Sequence, residues 1–107
     1  MVALEKEKSI EELSELFATT GFSKIPIYDD SIDDIIGFVH AFEMLKQPKS
    51  IREILLPVEF VHEPNPINEV LNRLTRKRKS IAVVLDEYGG TAGLLTLEDI
   101  LLSLIHI

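Results

Sequence analysis

A chain of 107 residues, 46% of them apolar, suits one compact unit with a modest core. The formal net charge of −7 argues against a general nucleic-acid binder, whose phosphate contacts demand a basic face. Without cysteine there are no disulfides or thiolate metal sites, and no apolar run approaches the roughly 20 residues of a membrane helix.

In chain order, the charged start "MVALEKEKS" does not read as a signal peptide, and its "VAL" predicts a short strand. Ser9 and Glu12 form an S-x-x-E capping box before Leu13, Leu16 and Phe17 at helical spacing. "KIPIY" is a β-rich run, and "IIGFV" is its expected hairpin partner across the loop holding Asp29, Asp30, Asp33 and Asp34. "HAFEML" continues as a helix. "KQPKSIREILLP" holds a second capping box, Ser50 to Glu53, and reads as a short linking helix closed by Pro57. "VEFV" predicts another strand. Asn65 is the expected cap of the next helix, with Pro66 at its first position and Ile67, Val70, Leu71 and Leu74 on its apolar face. "SIAVVL" and "AGLLT" form a second strand pair, and "LEDILLSLIHI" a last helix whose apolar end predicts a piece of a longer protein.

The second half therefore repeats the first. Ser23 pairs with Ser80 and Asp29 with Asp86 at an offset of 57 residues; Gly37 pairs with Gly93 and Glu43 with Asp99 at 56. One deletion in the hairpin loop explains the drift. Each copy reads β-α-β-β-α, and the fold class is α+β with two pseudo-symmetric halves, 1–56 with the linker and 57–107, together one compact module.

At "SKIPIY" and "LDEYGGTAGLLTLEDIL" the chain resembles a tandem cystathionine-β-synthase (CBS) domain pair, or Bateman module. More narrowly it is similar to the pair of the CorC/HlyC hemolysin-like family of magnesium and cobalt efflux proteins. The resemblance covers essentially the whole chain. It implies an adenine nucleotide, ATP or AMP, with Mg2+ as a companion ion, in a cleft between the copies. It also implies a homodimer, an attached membrane or C-terminal acid-rich domain under regulation, and a cytoplasmic position within a membrane-associated protein. By the same resemblance Ser23, Lys24, Ile25 and Pro26 line the adenine and phosphate side, and Asp99 binds ribose.

The residues themselves are compatible with that chemistry. Gly89 and Gly90 permit positive φ, so "EYGGTAG" can turn tightly, and Gly93 is expected to let another backbone approach closely. Thr96 falls at the N-cap of the last helix, with Glu98 and Asp99 in its first turn. Helix N-termini attract phosphate, a Thr hydroxyl can donate to a phosphate oxygen, and a carboxylate can accept both hydroxyls of a ribose. T-x-E-D before an apolar run is equally an ordinary helix cap whose acids favour the dipole. Pro26 lacks an N–H, suits an edge or a strand start, and leaves a neighbouring carbonyl free for a base amine; Ile25 and Ile27 serve a core just as well, and Lys24 a solvated surface. The first copy has His40, Phe42 and Glu43 in place of Thr96, Glu98 and Asp99, which predicts one dominant site.

Other charged groups read as structural. Arg76, Lys77, Arg78 and Lys79 could steer polyphosphate, but cations suit a helix C-terminus. The aspartates of "YDDSIDDI" match no calcium loop, and His40, His62 and His106 are too scattered for a metal motif. No nucleophile–base–orienter set suggests an enzyme. A nucleotide-sensing regulatory module is the first reading, and a ligand-free dimerisation module the alternative. Ile100, Leu101, Leu102, Leu104, Ile105 and Ile107 surround most of the last helix, more than one apolar stripe, so the rest needs cover from a partner chain, which a homodimer would supply, or from a further C-terminal region.

Overall fold

The computed structural model describes residues 1–63 and 65–105. The expected Ile107 and His106 therefore lie outside the described residues. Two compact units are present, Met1–Pro57 and Val58–Ile107. Each holds a three-stranded sheet, ordered β1-β2-β3 and β4-β5-β6.

In the first unit, β1 (Leu4–Glu5) pairs parallel with β2 (Lys24–Tyr28), and β2 pairs antiparallel with β3 (Ile35–His40). The helix α1 (Ile10–Thr20) connects β1 to β2. Ser9 caps it: its Oγ accepts from the Glu12 N–H at 3.1 Å. Gly21 closes it at φ 72°, the left-handed conformation that glycine adopts without a Cβ penalty. Leu13, Ile25, Ile27 and Val39 form the core with Ile51 and Ile54 of the linker.

Two expectations for this unit need correction. The segment after β3 is a 3-10 helix, Ala41–Lys46, and not an α-helix. Pro48 disfavours a right-handed helical Gln47, which sits at φ 52°, so the six-residue run ends too early to settle into α geometry. The linking segment is likewise one 3-10 turn, Ile51–Ile54, with no side-chain cap from Ser50. Glu53 instead accepts from the Lys49 N–H at 3.1 Å. Beyond that turn, Leu56 bridges Phe38 of β3 with reciprocal backbone bonds of 2.8 and 2.9 Å.

The second unit repeats the plan with β4 (Glu59–His62), α2 (Ile67–Lys77), β5 (Ile81–Leu85), β6 (Thr91–Thr96) and α3 (Leu97–Ile105). The register repeats as well. Leu4 faces Ile27 and Val61 faces Val84, both displaced by 57 residues. Val61, Val70, Leu74, Ala82 and Ile100 make its core. Pro66, not Asn65, holds the N-cap position of α2. Asn65 Oδ1 turns back to accept from the His62 N–H at 2.9 Å, so it cannot cap the helix.

The glycines also exchange roles. A Cβ on Gly37 would lie 2.6 Å from the Leu56 carbonyl oxygen, whereas one on Gly93 would meet nothing within 4 Å. The close approach expected at Gly93 occurs at Gly37, because Leu56 of the linker bridges Phe38 beside it.

Candidate functional site

Three of the expected site residues meet on one turn of the second unit. β6 ends at Thr96 and α3 begins at Leu97. Thr96 Oγ1 accepts from the Asp99 N–H at 3.2 Å, the N-cap bond expected from T-x-E-D. The Leu97 N–H donates to the Ser80 carbonyl at 2.8 Å, which ties the start of α3 to the residue before β5. Ile100, one residue past Asp99, is buried and anchors the helix on the core. Glu98 and Asp99 are exposed. As an acceptor towards Asp99, the Thr96 hydroxyl keeps its own proton to donate outward. The turn thus offers a hydroxyl donor, the positive end of a helix and a solvent-facing carboxylate.

The equivalent turn of the first unit has the same frame and different chemistry. The Ala41 N–H donates to the Ser23 carbonyl at 2.8 Å, as Leu97 does to Ser80. His40 takes the place of Thr96 as cap, its Nδ1 accepting from the Phe42 N–H at 3.1 Å. Its ring lies against the Phe42 ring, with centroids 4.8 Å apart. Glu43, the counterpart of Asp99, is largely buried and paired with Lys46 Nζ at 2.7 Å. Glu43 is thus less exposed than Asp99, and its Oε2 faces Lys46.

Ser23, Lys24, Ile25 and Pro26 stand at the entry of β2, in the first unit. Ser23 is exposed and Lys24 half-buried, across from His40 in the register. The Ile25 side chain is fully buried among Leu13, Ile27 and Val39, so its contact with any ligand must pass through its backbone. Pro26 is buried in the central strand of its sheet and not on an edge. The ladder tolerates it because β1 is two residues long and pairs with β2 only from Ile27 onward.

Sequence reasoning gave Asp86 only as the repeat partner of Asp29 and missed its role in the turn. Its Oδ1 accepts from both the Tyr88 and the Gly90 N–H at 2.9 Å, and its backbone pairs with Gly90 and Gly89. This Asx-type staple, with Gly89 at φ 81°, sets the β5–β6 turn; the D-x-x-G-G spacing is the signal that could have revealed it. Within the basic run, Lys77 pairs with Glu59 at 3.0 Å, and Arg78 caps α2 at φ 54°. Burial pushes the Glu59 carboxyl up. The Phe60 N–H, Lys77 and Arg73 outweigh it and hold the group below the ordinary value of 4.5. Within the acidic loop, Asp29 pairs with Lys6 at 3.1 Å. No helix among the described residues is long and apolar enough to cross a membrane.

Residues 51–106 match the model of the CBS domain family. Hemolysin C of Brachyspira hyodysenteriae is 32% identical over 98% of this chain and 40% of its own length. The CBS domain of a bacterial CNNM/CorC family Mg2+ transporter, solved in complex with ATP, is 35% identical with a TM-score of 0.92, covering 98% of this chain and 79% of that one. A CBS-domain pair from Klebsiella pneumoniae with bound AMP is 26% identical with a TM-score of 0.77, covering 98% of this chain and 89% of that one. The chain spans 23% to 40% of the length of the curated relatives it resembles.

Proposed function

The chain belongs to the CBS domain family, and on that premise we propose that it is the adenine-nucleotide-sensing module of a CorC/HlyC-type magnesium and cobalt efflux protein. The observation that carries this reading is the α3 turn, where Thr96 caps the helix and Asp99 stays exposed. The Thr96 hydroxyl and the helix N-terminus suit a phosphate, and Asp99 suits the ribose. Glu98 stands beside them in the same turn. Ser23, Lys24, Ile25 and Pro26 are assigned as the ligand-lining residues of the first unit. ATP or AMP is the ligand class, as in the ATP- and AMP-bound relatives, with Mg2+ as companion to the phosphates. No catalysis is assigned to the module. Its output is a change in an attached membrane or acid-rich domain, which requires that the nucleotide favour one arrangement of the module over another. Such a module works on the cytoplasmic side of the membrane.

Isothermal titration with ATP, AMP and S-adenosylmethionine tests this. Binding of ATP or AMP on the order of micromolar, about 8 kcal/mol, is expected. Calorimetric and thermal-shift silence towards all adenine nucleotides would leave the second reading, a ligand-free dimerisation module. One observation favours that alternative: Leu101, Leu102, Leu104 and Ile105 are all exposed on α3. A homodimer held through that helix is compatible with both. Light scattering over a wide concentration range tests it, and a strictly monomeric species rules it out.

A further inference from the structure

The caps of the two equivalent turns respond differently to protons. The Thr96 cap is a hydroxyl, which does not titrate in water, and it accepts from the Asp99 N–H at 3.2 Å. The His40 cap is an imidazole whose Nδ1 accepts from the Phe42 N–H at 3.1 Å. A ring nitrogen accepts only while it carries no proton, so this bond requires a neutral ring with its proton on Nε2. Protonation makes both ring nitrogens donors. The Phe42 N–H then faces another N–H, and the new charge lies at the helix end that repels cations. The protonated ring can keep its contact with the Phe42 ring, 4.8 Å between centroids, but not the backbone bond. The Ala41 N–H keeps its bond to the Ser23 carbonyl at 2.8 Å, so the break falls after Ala41.

The element behind this cap is weakly held. The 3-10 helix Ala41–Lys46 has no buried residue, and its Phe42 and Leu45 are 75% and 81% exposed. In the second copy Ile100 anchors α3 on the core. A short 3-10 run has poorer internal hydrogen bonds than an α-helix and depends more on its end. The charged groups around the ring come from β2 and the 3-10 helix. Lys24 stands directly across from His40 in the register, and Glu43 and Lys46 pair with each other at 2.7 Å. β3 carries no other titratable residue, and the linker meets it at the uncharged Leu56. We propose that His40 is a proton-operated cap: a neutral imidazole closes the start of the Ala41–Lys46 helix, and a protonated one releases it, while α3 stays capped. Protons thereby act on one copy of the repeat and not on the other, whether or not the module binds a nucleotide.

NMR of the 107-residue chain tests this across the range from about pH 8 to 5 in which imidazoles change charge. It follows the His40 ring and the amides of Phe42 and Asp99. The Phe42 amide should shift with the midpoint of the His40 ring. Its protection against exchange, relative to an unstructured peptide at the same pH, should fall about fivefold as one cap is lost. The Asp99 amide should not follow the ring. His40→Asn supplies an acceptor that does not titrate, so the Phe42 response should vanish with the amide still protected. His40→Ala should show the low protection at every pH. A His40 ring that protonates without moving the Phe42 amide overturns the proposal, as does a ring that stays neutral throughout. So does a Phe42 response that survives in His40→Asn or that the Asp99 amide shares in full.

Discussion

The two copies of the repeat use one backbone frame to build two different turns. In both, the first residue after the third strand donates to the residue before the second strand, Ala41 to Ser23 and Leu97 to Ser80, at 2.8 Å. The first copy then caps with an imidazole and pairs its acid with Lys46. The second caps with a hydroxyl and leaves its acid to solvent. The lesson is that a repeat preserves geometry more readily than chemistry, and that a ligand site needs both. The same holds at the far end of the strands, where Lys6 pairs with Asp29 in the first copy and Glu63 holds the equivalent position in the second.

The largest effect expected from breaking this comparison is at the paired glycines. Gly37→Ala forces a Cβ to within 2.6 Å of the Leu56 carbonyl and should cost about 3 kcal/mol by overpacking. Gly93→Ala meets open space and should be close to neutral. Urea denaturation of both variants checks the contrast, and equal losses would mean that Leu56 does not crowd Gly37.

Next comes the acid pair. Asp99→Ala should weaken ATP or AMP binding by about tenfold or more, since a hydrogen bond to a charged acceptor contributes roughly 1.5–3 kcal/mol. Glu43→Ala should leave the affinity unchanged, because its carboxylate already serves Lys46. Calorimetry on the two proteins reads this directly. An Asp99→Ala protein with the parent's affinity and melting temperature removes the acid from the site.

A smaller effect distinguishes the helix ends. Gly21 and Arg78 both close their helices in the left-handed region, at φ 72° and 54°. Arg78→Gly relieves a Cβ penalty of about 1–2 kcal/mol but adds backbone entropy to the unfolded chain. A net gain of roughly 0.5 kcal/mol is expected, while Gly21→Ala should lose about 1 kcal/mol. Thermal melts will rank them, and a destabilised Arg78→Gly would assign the guanidinium a structural role.

The smallest effect belongs to Glu59. Its folded pKa lies below the ordinary 4.5, so its stabilising contribution is complete above that value and is lost as the pH falls through the lowered one. Glu59→Gln should therefore flatten the acid limb of the stability profile. Lys77→Ala should do the same in part and cost about 0.5–1 kcal/mol at neutral pH. A profile unchanged below pH 4.5 in either variant would show that the pair contributes nothing.

Much of this was readable from the chain because its signals were local. The Ser9–Glu12 box, the apolar spacing of Leu13 to Phe17 and the T-x-E-D at Thr96 each specify an element through residues three or four apart. The repeat was legible because Ser23, Asp29, Gly37 and Glu43 recur at a nearly constant offset. What escaped depends on contacts that no local pattern records. Gly37 is crowded by Leu55 and Leu56, which come from the linker eighteen and nineteen residues further along the chain. Asn65 fails as a cap because its side chain is taken by the His62 N–H. The 3-10 geometry of Ala41–Lys46 follows from a stop at Gln47 that competes with good helix formers. At the candidate site, the acid at Glu43 was visible, but its burial against Lys46 was not.

The central claim is that nucleotide recognition belongs to the second copy's turn and not to the first's. Residue-resolved NMR titration with ATP tests it most directly, following the amides of Leu97, Glu98 and Asp99 against those of Ala41, Phe42 and Glu43. One saturating event per chain should move the first set strongly and coincide with the calorimetric affinity. Two equal events per chain, or the larger shifts at Ala41, Phe42 and Glu43, would contradict it.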